Sequence, residues 1–159
     1  MFNKLSLRVI LVDDDEEDRQ LIRWALTSGL DPILIEEMTT GQELIDWLQQ
    51  RRERLAEKTL VDEALVTVIL LDMHMPTLTG LETLQSLGDM AEFPYMPVIM
   101  LTASMSEPLK QQAYQQGIHL YLLKPAGSLG FYRVVEAVKL CYRDTLLLQE
   151  QHRLDNSFY

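Results

Sequence analysis

Five polar residues stand where runs of apolar residues give out: Asp13, Asp14, Asp72, Thr102 and Lys124. Carboxylates brought within a few ångströms of one another repel, and they stay ionised together only around a cation. Oxygen ligands with some waters retained describe a Mg²⁺ site, so Asp13, Asp14 and Asp72 are the candidate metal ligands. Asp72 is also the candidate nucleophile, because a carboxylate can attack a phosphoryl group and form an aspartyl phosphate. Phosphoryl transfer asks a protein mainly for positioning and charge neutralisation. Lys124 supplies a second positive charge for the phosphoryl group, and Thr102 a hydroxyl donor to one of its oxygens. The product carries about two negative charges and strong acceptors, enough to draw a loop and its threonine into a new position.

These residues need a scaffold that brings distant strand ends to one edge. Short runs rich in β-branched residues lie at Val9–Val12, Ile33–Ile35, Val66–Leu71, Val98–Leu101 and Leu120–Leu123. They are mostly solid apolar runs, as expected of strands buried on both faces of a parallel sheet. Helical stripes alternate with them: Leu21, Ile22, Ala25 and Leu26; Leu44, Ile45 and Leu48; Leu81, Leu84 and Leu87; Leu109 and Ala113; and a long one from Phe131 to Tyr142. Gly29, Pro32 and Gly117 punctuate the pattern. Five βα units in series predict an α/β protein with helices on both faces and right-handed crossovers. Function in such sheets gathers at the carboxyl ends of the strands, which is where the polar residues fall. The segment Gln49–Glu63 is polar and mixed in charge; it extends the second helix, loops back, and reads as a solvated face.

The chain has 159 residues, one domain's worth. With 24 acidic and 14 basic residues its net charge is −10, which argues against nucleic acid or anionic membrane as a partner. The single cysteine, Cys141, cannot close an internal disulfide, and a cytoplasmic location is expected. No apolar run approaches a membrane span.

The strings VILVDDDEEDR, LLDMHMPTLTG, MLTAS and LYLLKP together resemble the receiver domain of two-component response regulators. Thr102 follows Asp72 by 30 residues and Lys124 follows Thr102 by 22, which fits the family pattern. The resemblance implies a flavodoxin-like, doubly wound five-stranded sheet of order 2-1-3-4-5 with five helices. It implies that Asp72 accepts a phosphoryl group from the phosphohistidine of a sensor histidine kinase, of the phytochrome-associated kind. Asp13, Asp14 and Asp72 would hold Mg²⁺, Asp14 more directly, with the backbone carbonyl of His74 as a further ligand. Thr102 and Lys124 would contact the phosphoryl group, Tyr121 would be the aromatic that reports the state of Thr102, and Lys124–Pro125 would be a cis peptide. Such a protein acts on itself and is not an enzyme in the ordinary sense. A receiver domain is expected over residues 5–145, then a tail or helix extension over 146–159 with no output domain. Signal would leave through a downstream protein target or a homodimer formed by the face of helix four, strand five and helix five, with Leu146, Leu147 and Leu148 beside it.

Other residues have plainer readings. Asp15 or Glu16 begins the first helix, where acids suit the dipole. The His74 side chain is a solvent-facing neighbour of the site, and His119 and His152 are structural or surface residues. Trp24, Trp47, Met73, Met75, Met96, Met100, Met105 and Cys141 read as packing or surface apolar groups. Two rival functions are a haloacid-dehalogenase-like phosphatase and a scaffold receiver that is never phosphorylated. The phosphatase expects its nucleophile on the first strand and a further acidic motif after its lysine, where this chain has Pro-Ala-Gly-Ser. The intact set of five polar residues argues against the scaffold.

Overall fold

In a computed structural model describing residues 6–57, 65–88 and 95–157, the apolar runs form β1 (Leu7–Val12), β2 (Leu34–Met38), β3 (Val66–Asp72), β4 (Val98–Thr102) and β5 (Leu120–Leu123). The helical stripes form α1 (Glu16–Gly29), α2 (Gly41–Ala56), α3 (Gly80–Leu87), α4 (Glu107–Gln115) and α5 (Ser128–Asn156). The strands pair in parallel in the order β2-β1-β3-β4-β5, the flavodoxin-like order expected.

Alternation along each strand divides the core in two. Ile10, Val12, Ile69, Leu71 and Met100 face one layer with Leu44, Leu48 and Leu84 of α2 and α3. Val9, Leu11, Val68, Leu70 and Leu101 face the other, against Ile22 and Leu26 of α1 and Val134, Val138 and Cys141 of α5. Leu70, Leu71, Ile69 and Ile10 are completely buried, which is why these strands read as solid apolar runs.

β2 departs from that pattern. It starts and ends later than the sequence suggests, and only Met38 of its five residues is buried. The reason is its place at the sheet edge. Glu36 pairs with Arg8, and Glu37 with Arg19 and Arg23, an arrangement that keeps an exposed edge charged. The guanidinium groups of Arg8 and Arg51 lie over the Trp47 ring of α2, 5.5 and 5.6 Å from its centroid.

Helix starts follow local chemistry. Asp15 caps α1 by accepting the Asp18 N–H, and Thr79 and Glu82 form a capping box at α3. The expected loop after α2 lies at residues 58–64, outside the described residues. α5 runs on to Asn156, its last buried residue being Thr145. The expected cis bond at Lys124–Pro125 is not found: among the described residues the cis peptide is Asp31–Pro32. Any X–Pro bond is open to either isomer at small cost, so the sequence could not choose between the two sites. No helix among the described residues is long and apolar enough to cross a membrane.

Candidate functional site

Ladder hydrogen bonds carry past the ends of the strands and aim the site. Asp13 donates its N–H to the Met38 carbonyl, Met73 to Leu101, and Lys124 to Thr102, at 3.0, 2.7 and 2.7 Å. Asp13, Asp72 and Lys124 therefore emerge at one edge. Asp13 is held further by the Asp15 N–H on its Oδ1 (2.9 Å) and by Arg19 Nη1 on its carbonyl (2.8 Å). Asp72 Oδ1 accepts the His74 N–H at 3.1 Å.

The Lys124 ammonium is the centre of the cluster. Its Nζ lies 3.0 Å from Asp13 Oδ2, 3.1 Å from Asp72 Oδ2 and 2.8 Å from Asp18 Oδ2. Burial alone would push its pKa down, but the bonds to Asp18, Asp13 and Asp72 outweigh that and hold it above the ordinary lysine range. Burial, and then the Asp13 carboxylate, push Asp72 up from 3.8 to about 6, against the His74 N–H and Lys124.

Asp13, Asp14 and Asp72 each offer an oxygen, all within 4.8 Å of one another. Asp13 and Asp72 are buried and Asp14 is exposed. The Oδ2 atoms of Asp13 and Asp72 are shielded from water, and among the described residues the compensation they meet is the Lys124 ammonium. One ammonium faces the charge of four carboxylates once Asp18 is counted. Hard oxygen donors, buried lone pairs to spare and excess negative charge are what a Mg²⁺ ion requires, so these residues fit it.

Thr102 is fully buried at the end of β4. Its hydroxyl donates to the Ser104 carbonyl at 2.8 Å, and its Oγ1 lies 3.1 Å from His74 Nε2. His74 is exposed, as expected, but it also links the Asp72 loop to Thr102. Tyr121 is buried in the α2–α3–α4 layer, its hydroxyl shielded and, among the described residues, without a hydrogen-bond partner. Gly80 begins α3 for a steric reason: a Cβ there would meet the Asp72 carbonyl at 2.5 Å and Met100 Sδ at 2.8 Å. The left-handed residue of the preceding turn is Thr77, with φ of 70°.

The structure thus brings Asp13, Asp14, Asp72 and Lys124 together and sets Thr102 one residue away through His74. Sequence reasoning gave no role to Asp18. Its position five residues beyond Asp13, on the first turn of the helix that starts there, was the available signal. It also missed the His74 contact with Thr102, which depends on how two loops meet.

Known proteins share this arrangement of elements. The family model for the response regulator receiver domain matches residues 9–136. The response regulator Rcp1 of Synechocystis sp. is 26% identical over 141 residues, covering 88% of this chain and 91% of Rcp1. The DNA-binding transcriptional regulator NtrC of Escherichia coli is 34% identical over 149 residues, 93% of this chain; the chain spans only 27% of NtrC. Among solved structures, the phosphorylated cyanobacterial phytochrome response regulator RcpA superposes with a TM-score of 0.67 at 26% identity, covering 82% of this chain and 89% of RcpA.

Proposed function

The chain belongs to the response regulator receiver family, and from that premise we propose that it is a phosphorylation-dependent switch whose acceptor is Asp72. The observation that carries this reading is the shared ammonium, with Lys124 Nζ 3.1 Å from a buried Asp72 carboxylate and 3.0 Å from Asp13. An oxygen of Asp72 attacks the phosphorus of a phosphohistidine, the P–N bond breaks, and its electron pair returns to the imidazole of the kinase. Lys124 is placed to neutralise the phosphoryl oxygens. Asp13, Asp14 and Asp72, with the His74 backbone carbonyl, would hold Mg²⁺, which when bound supplies charge neutralisation shared between carboxylate and phosphoryl oxygens.

Thr102 carries the signal away. Its hydroxyl, held by Ser104 and His74 before transfer, would turn to donate to a phosphoryl oxygen. Tyr121, on the neighbouring strand, responds to that move, and the face of α4, β5 and α5 changes the protein contacts it makes, with a downstream target or a second copy. Phosphorylation biases an existing two-state element and builds no new fold. The chemistry is confined to the chain itself: transfer to Asp72, and later hydrolysis by water that returns the carboxylate and releases phosphate. The likeness to RcpA supports a phytochrome-type histidine kinase as donor, and a cytoplasmic location belongs to the same reading.

Incubation with acetyl phosphate and Mg²⁺, followed by intact-mass analysis, tests the proposal. One phosphoryl group is expected, on Asp72, with none on Asp72→Asn, slower labelling for Asp14→Ala, and loss of labelling in excess chelator. Full labelling of Asp72→Asn would overturn the assignment. Phosphotransfer from a panel of histidine kinases then identifies the donor.

A further inference from the structure

Asp18 is the one carboxylate at Lys124 to which the switch gives no part. A lysine ammonium has three N–H donors. Three carboxylate oxygens stand against them: Asp18 Oδ2 at 2.8 Å, Asp13 Oδ2 at 3.0 Å and Asp72 Oδ2 at 3.1 Å. A phosphoryl oxygen arriving at Asp72 therefore displaces one of them before it reaches an N–H of Lys124. The three are not equally displaceable. The side chains of Asp13 and Asp72 are each 1% exposed, whereas that of Asp18 is 40% exposed. Asp13 is also held by the Asp15 N–H on its Oδ1, and Asp72 by the His74 N–H. Asp18 has a way out. On letting go, its side chain turns into water. It stands in the first turn of α1, where the helix N-terminus favours a negative charge without help from the lysine. The Asp18 backbone does not depend on Lys124 either, because its N–H is held by Asp15 Oδ1 at 3.0 Å.

We infer that Asp18 is a positioning residue that keeps Lys124 occupied: an internal counter-ion that holds the ammonium until a phosphoryl group takes its place. The inference rests on the reading of Asp72 as phosphoacceptor. With acetyl phosphate as donor, an Asp72 oxygen attacks the phosphorus, the P–O bond to the acetyl group breaks, and acetate leaves with the electron pair. As this happens an N–H of Lys124 passes from Asp18 Oδ2 to a phosphoryl oxygen. No proton changes owner; one hydrogen bond is exchanged for another. Asp18 acts through Lys124 and lies outside the Asp13, Asp14 and Asp72 group that fits a metal. It slows transfer in two ways. It engages the donor that the phosphoryl oxygen needs, and it sets a negative charge beside an incoming anion that must share the same ammonium. The contact thus holds back phosphorylation by small anionic donors.

Labelling of the full chain with acetyl phosphate and Mg²⁺, followed over time by intact mass, is the test, with Asp72→Asn as the unlabelled control. Asp18→Asn and Asp18→Ala change a side chain that is 40% exposed and should leave the fold intact. Each should be labelled roughly fivefold faster than wild type, the worth of one unit charge at contact distance in water. Asp18→Glu keeps the charge and still reaches the ammonium, so its rate should return to within about twofold of wild type. Raising the ionic strength should speed the wild-type chain more than Asp18→Asn, because screening removes part of what the substitution removes. A merely structural Asp18 would leave the two salt profiles parallel. In the phosphorylated chain Lys124 has already left Asp18, so the lifetime of the phosphoryl group should differ between the variants by less than the labelling rate does. Asp18→Asn labelled at the wild-type rate or more slowly overturns the proposal and leaves Asp72 standing as acceptor, as does an Asp18→Glu variant as fast as Asp18→Asn. A wild-type chain that takes up no phosphoryl group removes the acceptor and the role of Asp18 together.

Discussion

At the carboxyl edge of the sheet, Asp13 and Asp72 are almost wholly shielded from water although both are charged groups. At the far end of α5, Leu146, Leu147, Leu148 and Leu154 stand in water although all are apolar. Both arrangements cost the isolated chain free energy, and in both the missing compensation is something that binds. At the first site the proposed compensation is a cation and a phosphoryl group; at the second it is apolar surface. Burial of like charge is relieved by a proton or by a group of opposite charge placed within ångströms. Exposed leucine can be relieved by any apolar surface of matching shape. The first site is thus specific in its chemistry and the second in its shape.

Perturbing each end separately sharpens this contrast. The largest effect on stability is expected from Asp72→Asn in metal-free protein. The folded-state pKa of Asp72, about 6, lies above its ordinary 3.8. The folded state therefore binds more protons between those values, and this group's contribution falls as pH rises through that window. Above pH 6 the variant should be more stable than wild type by about 1–3 kcal/mol, part of the gain being offset by the contact Lys124 loses. Below pH 4 the difference should vanish. Thermal melts at the two pH values check this, and saturating Mg²⁺ should remove the advantage at high pH because metal and proton compete for the same oxygens. An advantage independent of pH would mean that the carboxylate is not the source of the cost.

Gly80→Ala comes next. The Asp72 carbonyl, 2.5 Å from the added Cβ, is backbone and cannot swing aside. A loss of about 2 kcal/mol is expected, with slower acetyl-phosphate labelling because Asp72 itself moves. Urea melts and labelling rates measure the two effects, and a fall in stability without a fall in rate would show that α3 yields instead. Smaller still is Tyr121→Phe. Removing a buried hydroxyl that has no partner among the described residues should raise stability by up to about 1 kcal/mol while altering the response to a phosphoryl mimic. At the other end, Leu147→Ser should leave stability within about 0.5 kcal/mol of wild type. A large loss there would show that the leucine packs within its own chain.

Sequence and structure agree where one residue type can serve one purpose. The solid runs at β1, β3 and β4 predicted a sheet covered on both faces, because only such strands remain apolar on successive residues. The carboxylates after β1 and β3 and the lysine after β5 were legible because each interrupts such a run. β2 was read poorly, since Glu36 and Glu37 take their partners Arg8, Arg19 and Arg23 from other elements, and such pairing leaves no local pattern. Asp18 was hidden for the opposite reason: an acid in the first turn of a helix already has a sufficient local explanation. Gly80, the last residue of the string LLDMHMPTLTG, is required for space beside a carbonyl, while the backbone freedom is demanded of Thr77. The length of α5 was open as well, because the residues after Thr145 that extend it bury nothing.

Cys141 is the one cysteine in the chain, and it is fully buried in the layer between the sheet and α5. Burial, with the Asp144 charge nearby, pushes its thiol up to about 12. Since the thiolate is the reactive species, the folded protein is close to inert toward maleimides and iodoacetamides at neutral pH. A single cysteine introduced on the surface would then be the sole handle for a fluorophore or spin label, with no need to remove the native one. A probe near Ser104 would follow the loop after Thr102, and one on the outer face of α5 would follow any partner bound there, each in the otherwise natural protein.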